Sequence, residues 1–147
     1  MRWLQLAVLA LLGTPGSAHA VDIEGRWLTN RRDAVIAFED CGNATPCGRI
    51  VWVAPAKADR PRDIRNPDPA LRRRSIQGLT VAWGFARHGA EWRSGRLYNP
   101  ETGQTFSSAM SREDDGRLRV TGCIGVLCLT DYWTRSGDRD PRAAAPR

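Results

Sequence analysis

The chain has 147 residues, 41% of them hydrophobic and 26% charged, with 14 Gly, 9 Pro and 4 Cys. That is the length and balance of one ordinary globular domain, which excludes a collagen-like, coiled-coil or wholly disordered protein. The formal net charge is +6, and because Lys57 is the only lysine, the basic character is almost entirely arginine.

Met1-Arg2-Trp3 opens the chain, an apolar run follows from Leu4 to Leu12, and Ser17-Ala18-His19-Ala20 closes the segment. A basic start, a short apolar core and a small-x-small ending are the parts of a secretory signal peptide. The run is too short to span a bilayer, which takes about 20 residues. Residues 1–20 are therefore expected to be removed after Ala20, leaving a soluble, exported, periplasmic protein. All four cysteines follow that point. In an oxidising compartment an even number reads as disulfides. Three connectivities are open to four cysteines; Cys41–Cys47 and Cys123–Cys128 are favoured because each pair brackets a turn. The spacings suit zinc poorly, and no metal or cofactor is expected.

Short runs of β-branched and aromatic residues, separated by turn signals, then fill the chain to Arg135. Strands are expected near Gly25–Asn30, Ala34–Glu39, Arg49–Ala54, Gln77–Ala86, Glu91–Tyr98, Gln104–Ser111, Arg117–Cys123 and Leu127–Arg135. The fourth has the clearest period-2 pattern, with Leu79, Val81, Trp83 and Phe85 on one face; in the third, Ile50 and Trp52 share a face. Turns fall at His88-Gly89, Asn99–Gly103 and Asp114–Gly116. One connection is long, from Pro55 to Ile76. Within it Asn66-Pro67-Asp68 reads as a helix start, with Asn66 as N-cap and Pro67 at the first helical position, for a turn or two ending near Arg73. All other links are short, so the expected fold is all-β: an eight-stranded up-and-down antiparallel barrel, its first strand closing on its last, with one short helix in the 55–76 loop. The barrel domain is expected over residues 21–135. Residues 136–147 have little to bury and read as a disordered tail.

Gly25-Arg26-Trp27 on the first strand, with Arg135 ending the last, resembles the Gly-x-Trp and terminal-Arg signature of the calycin superfamily. The resemblance implies a lipocalin-like barrel in which Trp27 plugs the closed end and Arg135 covers its ring, a cation–π contact. A wider set occurs in order along the chain: Gly25–Thr29, Cys47–Trp52, Asn66–Pro69, Leu71-Arg72, Gly78-Leu79, Tyr98–Pro100 and Trp133–Arg135. It resembles the exported bacterial family catalogued as domain of unknown function 2147, which implies a small β-barrel and no particular activity. Ser75-Ile76 departs from the pattern, which has Pro in the first place.

Between Lys57 and Arg74 lie seven basic and three acidic residues, nearly all the excess charge of the chain after its leader. Export argues against nucleic acid as the partner; anionic envelope material suits the charge better, and a solvated basic loop that aids solubility is the alternative reading. An enzyme is hard to assemble from one histidine, His88, beyond the leader, paired cysteines and one lysine. Asp59, Asp63 and Asp68 in the long loop could serve a carboxylate-based hydrolase, but acids in an Arg-rich loop more often act as ion-pair partners. An eight-stranded barrel either fills with side chains or holds one small ligand, and the sequence leaves both open. The reading is a non-enzymatic binder of a small apolar or amphipathic ligand with an anionic group, its candidate contacts Trp52, Arg72, Arg74, Trp83 and Tyr98. The alternative is an envelope protein-interaction or anionic-surface-binding module that uses the Arg-rich loop. Oligomeric state is not legible.

Overall fold

The computed structural model describes residues 22–55 and 62–137. The leader expected over residues 1–20 and nearly all of the tail expected over 136–147 lie outside them. Nine runs of strand follow one another: β1 (Gly25–Leu28), β2 (Ala34–Asp40), β3 (Pro46–Val53), β4 (Thr80–Trp83), β5 (Ala86–His88), β6 (Glu91–Asn99), β7 (Gln104–Arg112), β8 (Leu118–Ile124) and β9 (Leu127–Arg135). Each pairs antiparallel with its neighbours, and β4 and β5 both pair with β6. They are one stave of the barrel interrupted at Gly84, where φ is +75° and the ladder cannot continue. The expected unbroken fourth strand is thus two short ones. The result is a closed eight-stave barrel, β1 sealing against β9 through Trp27 opposite Arg135 and Leu28 opposite Thr134.

One end of the barrel is packed shut. Ile23, Trp27, Phe38, Phe85, Trp92, Met110 and Leu118 are all buried there. Residues 22–24 cross beneath, where the Trp27 indole donates to the Ile23 carbonyl at 2.8 Å and the Trp92 indole donates to Asp22 at 2.8 Å. The Arg135 guanidinium lies 4.2 Å from the centroid of the Trp27 ring and donates to the Glu24 carbonyl. Gly25 makes this possible: its φ is +111°, and a Cβ there would sit 2.1 Å from the Arg135 guanidinium. The Gly-x-Trp and Arg135 signature is therefore one packing unit.

Two β-bulges re-aim aromatic side chains. On β3 the register passes from Ile50 opposite Ile36 to Trp52 opposite Val35, so Val51 is an extra residue. On β4 Gly48 faces Ala82 and Arg49 faces Thr80, making Val81 the extra one. After each bulge the alternation is inverted. Trp52 and Trp83 consequently leave the inward face on which simple period-2 reading puts them, and Trp83 is exposed.

The long connection forms a strap, residues 62–76, held to itself by a bridge between Arg62 and Ser75. Its helix is shorter and later than expected, a single 3-10 turn at Pro69–Leu71 capped by Asp68. The Asn66 side chain instead accepts from the Asp68 amide at 2.9 Å, an Asx turn that shifts the cap by two residues. Both disulfides, Cys41–Cys47 and Cys123–Cys128, are formed across the expected turns.

Candidate functional site

Moving two tryptophans outward empties the upper half of the barrel. A cavity of about 780 Å³ opens there, within the range of roughly 300–1,000 Å³ typical of small-molecule sites. Its walls are apolar: Ile36, Ile50, Val81, Leu97, Phe106 and Val120 from the staves, with Trp133 below. Ile64 and Ile76 of the strap line one side of it.

The rim is polar and of mixed charge. Arg31 on the β1–β2 turn pairs with Asp33 at 3.4 Å and with Glu101 at 3.3 Å, and Asn30 donates to Asp131 at 3.2 Å. Arg62 lines the mouth and donates to the Arg73 carbonyl. Arg65 lines it too, exposed and with no hydrogen bond or ion pair among the described residues. It is the rim cation available to a ligand.

A buried polar knot fixes the strap against β6. Asp63 is fully buried. Its carboxylate accepts from the Tyr98 hydroxyl, from the Asn66 amide at 2.8 Å and from the Arg74 guanidinium at 2.8 and 2.9 Å. Asn66 also donates to the Tyr98 oxygen at 3.0 Å. Burial, and then the hydrogen bond to Asp63, push the Tyr98 phenol up to about 12. Close by, Gly103 takes a φ of +74° in the β6–β7 turn, and a Cβ there would meet the Arg65 carbonyl at 2.0 Å. The strap is a docked element, seated by side chains and by backbone contact.

Among the expected ligand contacts, Tyr98 alone borders the cavity, while Trp52, Arg72, Arg74 and Trp83 are not in its wall. Arg72 donates to the Asn66 carbonyl at 2.8 Å and Arg74 is held by Asp63, so both arginines brace the strap. Arg74, Trp83 and Tyr98 do meet, with Asn66, Pro67, Thr80 and Thr105, around a second recess of about 370 Å³ on the outer side of the staves. Trp52 lies opposite Val35 away from both. Sequence reading missed Arg62 and Arg65 as individuals, though both fall in the basic segment it singled out. It had no signal for Leu97 or Ile64, whose places depend on the bulges and the strap.

Other chemistry finds little here. Asp63 is saturated by its donors, and Asp68 accepts from the Ala70 amide at 2.9 Å; Asp59 is outside the described residues. His88 is exposed and absent from the cavity wall. Glu39 lies beside the Cys41 and Cys47 sulfurs, which as a disulfide are not thiolate ligands.

Residues 25–135 match the family model described as uncharacterized protein conserved in bacteria (DUF2147). The chain belongs to this family. No curated protein matches it. Among solved structures, this DUF2147 barrel is similar to protein HP1028 from the human pathogen Helicobacter pylori, described as belonging to the lipocalin family. The TM-score is 0.69 at 20% identity, over 84% of this chain and 89% of that one. The likeness establishes the lipocalin-like fold. The two disulfides suggest an oxidising, exported environment, and no helix of the described residues is long and apolar enough to cross a membrane.

Proposed function

We propose that this DUF2147 barrel is a non-enzymatic periplasmic binder of a small amphipathic ligand. The apolar part occupies the cavity and an anionic group meets Arg65, with Arg62 beside it. One observation carries the reading: an apolar cavity of about 780 Å³ whose mouth presents Arg65, unpaired among the described residues. A lipocalin-like fold, whose eight-stave interior suits one small ligand, supports it. The rim arginine favours an anion because a charge-assisted contact to carboxylate or phosphate is stronger than a neutral one. The Arg-rich loop as an interaction module has less support, because Arg72 and Arg74 are spent on the strap. A carboxylate-based hydrolase has less still, with Asp63 fully engaged.

The test is to express the chain with its leader, purify it from the periplasm, and compare native with denaturing mass spectrometry. A co-purifying mass lost on denaturation is expected, on a chain that begins at Val21. Anilinonaphthalene sulfonate, apolar rings bearing a sulfonate, serves as a probe of the emptied protein. Arg65→Glu should weaken its binding about tenfold, the worth of one charge-assisted contact. Leu97→Trp should abolish binding by filling the cavity. A bare protein that takes up no probe, or one whose uptake ignores both substitutions, overturns the reading.

A further inference from the structure

The β8–β9 hairpin rises past the barrel's open end with its apolar side chains uncovered. Val126 at the turn is 97% exposed, Leu127 78%, Leu129 80% and Ile124 47%. Few soluble surfaces leave four aliphatic residues together in this way. The turn is tight, Gly125-Val126 between the paired Ile124 and Leu127, with Gly125 at φ +59°.

The register gives this hairpin two unlike faces. Val120 is opposite Asp131, Gly122 opposite Leu129 and Ile124 opposite Leu127. Side chains alternate along a strand, so Leu129, Ile124 and Leu127 continue the same face that lines the cavity at Val120 and Trp133. The other face carries the Cys123–Cys128 disulfide and the hydrogen-bonded Thr121–Thr130 pair at 2.9 Å. The cavity wall thus runs outward as an apolar ramp to the tip, braced from behind by a covalent bond.

The rim at the same end is of mixed charge, and its positive excess lies on the strap. The strap from Arg62 to Arg74 carries five arginines and two aspartates, and Arg62 and Arg65 share the mouth with Leu129. Outside the described residues, the larger apolar side chains belong to the leader expected over residues 1–20 and to Val21. Residues 56–61 and 138–147 contain no apolar residue larger than Ala or Pro.

We propose that the β8–β9 tip docks this protein onto an anionic lipid bilayer, Val126 and Leu127 entering the acyl region while Arg62 and Arg65 at the mouth meet the headgroups. A convex tip of aliphatic side chains suits a fluid apolar phase. A second protein is a poorer fit: interface anchors are chiefly Trp, Tyr and Arg, and a tip this small falls short of the roughly 1,200 Å² that a stable interface buries. Basic residues near an anionic surface add attraction that salt screens. Docking stands whether or not the cavity carries a ligand, so its failure and that of the ligand reading are separable.

Partition of the purified protein is measured by co-sedimentation with vesicles of phosphatidylcholine mixed with phosphatidylglycerol, and with phosphatidylcholine alone. Binding is expected to the mixed vesicles, weaker to the neutral ones, and reduced by salt. Val126→Asp or Leu127→Asp should each lower partition about tenfold or more, since an apolar contact becomes a charge in the acyl region. Their thermal melting and anilinonaphthalene sulfonate uptake should stay unchanged, because both side chains are exposed. Arg65→Gln should cost about fivefold on mixed vesicles and little on neutral ones. No partition into either vesicle overturns the proposal. So does partition that ignores both tip substitutions, which would assign binding to the arginines alone. A dimer in sedimentation, broken by Val126→Asp and accompanied by no vesicle binding, would give the tip to a second copy of the chain.

Discussion

Tyr98 is where strap and barrel meet, and its ionisation reports on that junction. Its phenol is held neutral by burial and by the Asp63 carboxylate, up to about 12, whereas in the unfolded chain a tyrosine ionises near 10. The folded state holds the proton more tightly, so this contribution is complete below pH of about 10 and is lost as pH rises towards about 12. Tyr98→Phe should therefore flatten the alkaline limb of stability measured by urea unfolding. At neutral pH the same variant should lose about 1–3 kcal/mol, since Asp63 and Asn66 are each left short of a hydrogen-bond partner in a buried place. Alkaline limbs that stay parallel in the two proteins would mean that Tyr98 ionises as freely folded as unfolded.

Among the elements, the hairpins were the most legible in the sequence and the bulges the least. Cys123-Ile124-Gly125-Val126-Leu127-Cys128 holds its turn chemistry and its disulfide within six residues, so the local chain alone specifies the structure. The same holds for Gly25, Trp27 and Arg135, whose packing unit is carried by residue types at fixed strand positions. A bulge has no comparable mark. Arg49–Val53 alternates acceptably with Ile50 and Trp52 together, and only the cross-strand pairing reveals Val51 as the extra residue. That single residue decides whether an indole fills the barrel or leaves it, and Val81 does the same for Trp83. The cavity therefore could not be read from the sequence, although the barrel around it could. The strap's cap moved for a related reason: Asn66 is drawn into the buried contacts with Asp63 and Tyr98, leaving the capping to Asp68. At this scale the disulfide of β8–β9 can be tested directly. Replacing Cys123 and Cys128 together by Ser should cost about 2 kcal/mol on the loop-entropy account. The hairpin tip should gain mobility, seen as faster amide exchange over residues 124–127, while the Trp27 amide stays protected. Loss of protection at Trp27 as well would mean that the hairpin is needed to hold the whole barrel.

Over the whole molecule the two ends are built on opposite terms. Below, Trp27, Met110 and Leu118 are 2% exposed or less, the indoles are hydrogen-bonded, and residues 22–24 close the base. Above, the staves surround an apolar cavity, and the strap is seated by a buried polar knot and by backbone contact at Gly103. Side chains that line a void lack contacts on one side, so they contribute less to holding their strands. Local opening is expected where apolar contacts are few. Amide exchange should thus be slowest around Trp27, Met110 and Leu118, faster along the upper parts of β3, β4 and β6, and fastest in the strap and the β8–β9 tip. Filling the cavity with anilinonaphthalene sulfonate should slow exchange near Ile50, Val81 and Leu97 and leave the base as it was, because only those residues gain contacts. Such a gradient lets the entrance yield to a ligand without unfolding the base. Uniform protection from base to mouth, unchanged by the probe, would mean that the empty barrel is as tightly held as a filled one and that its cavity is closed to ligands.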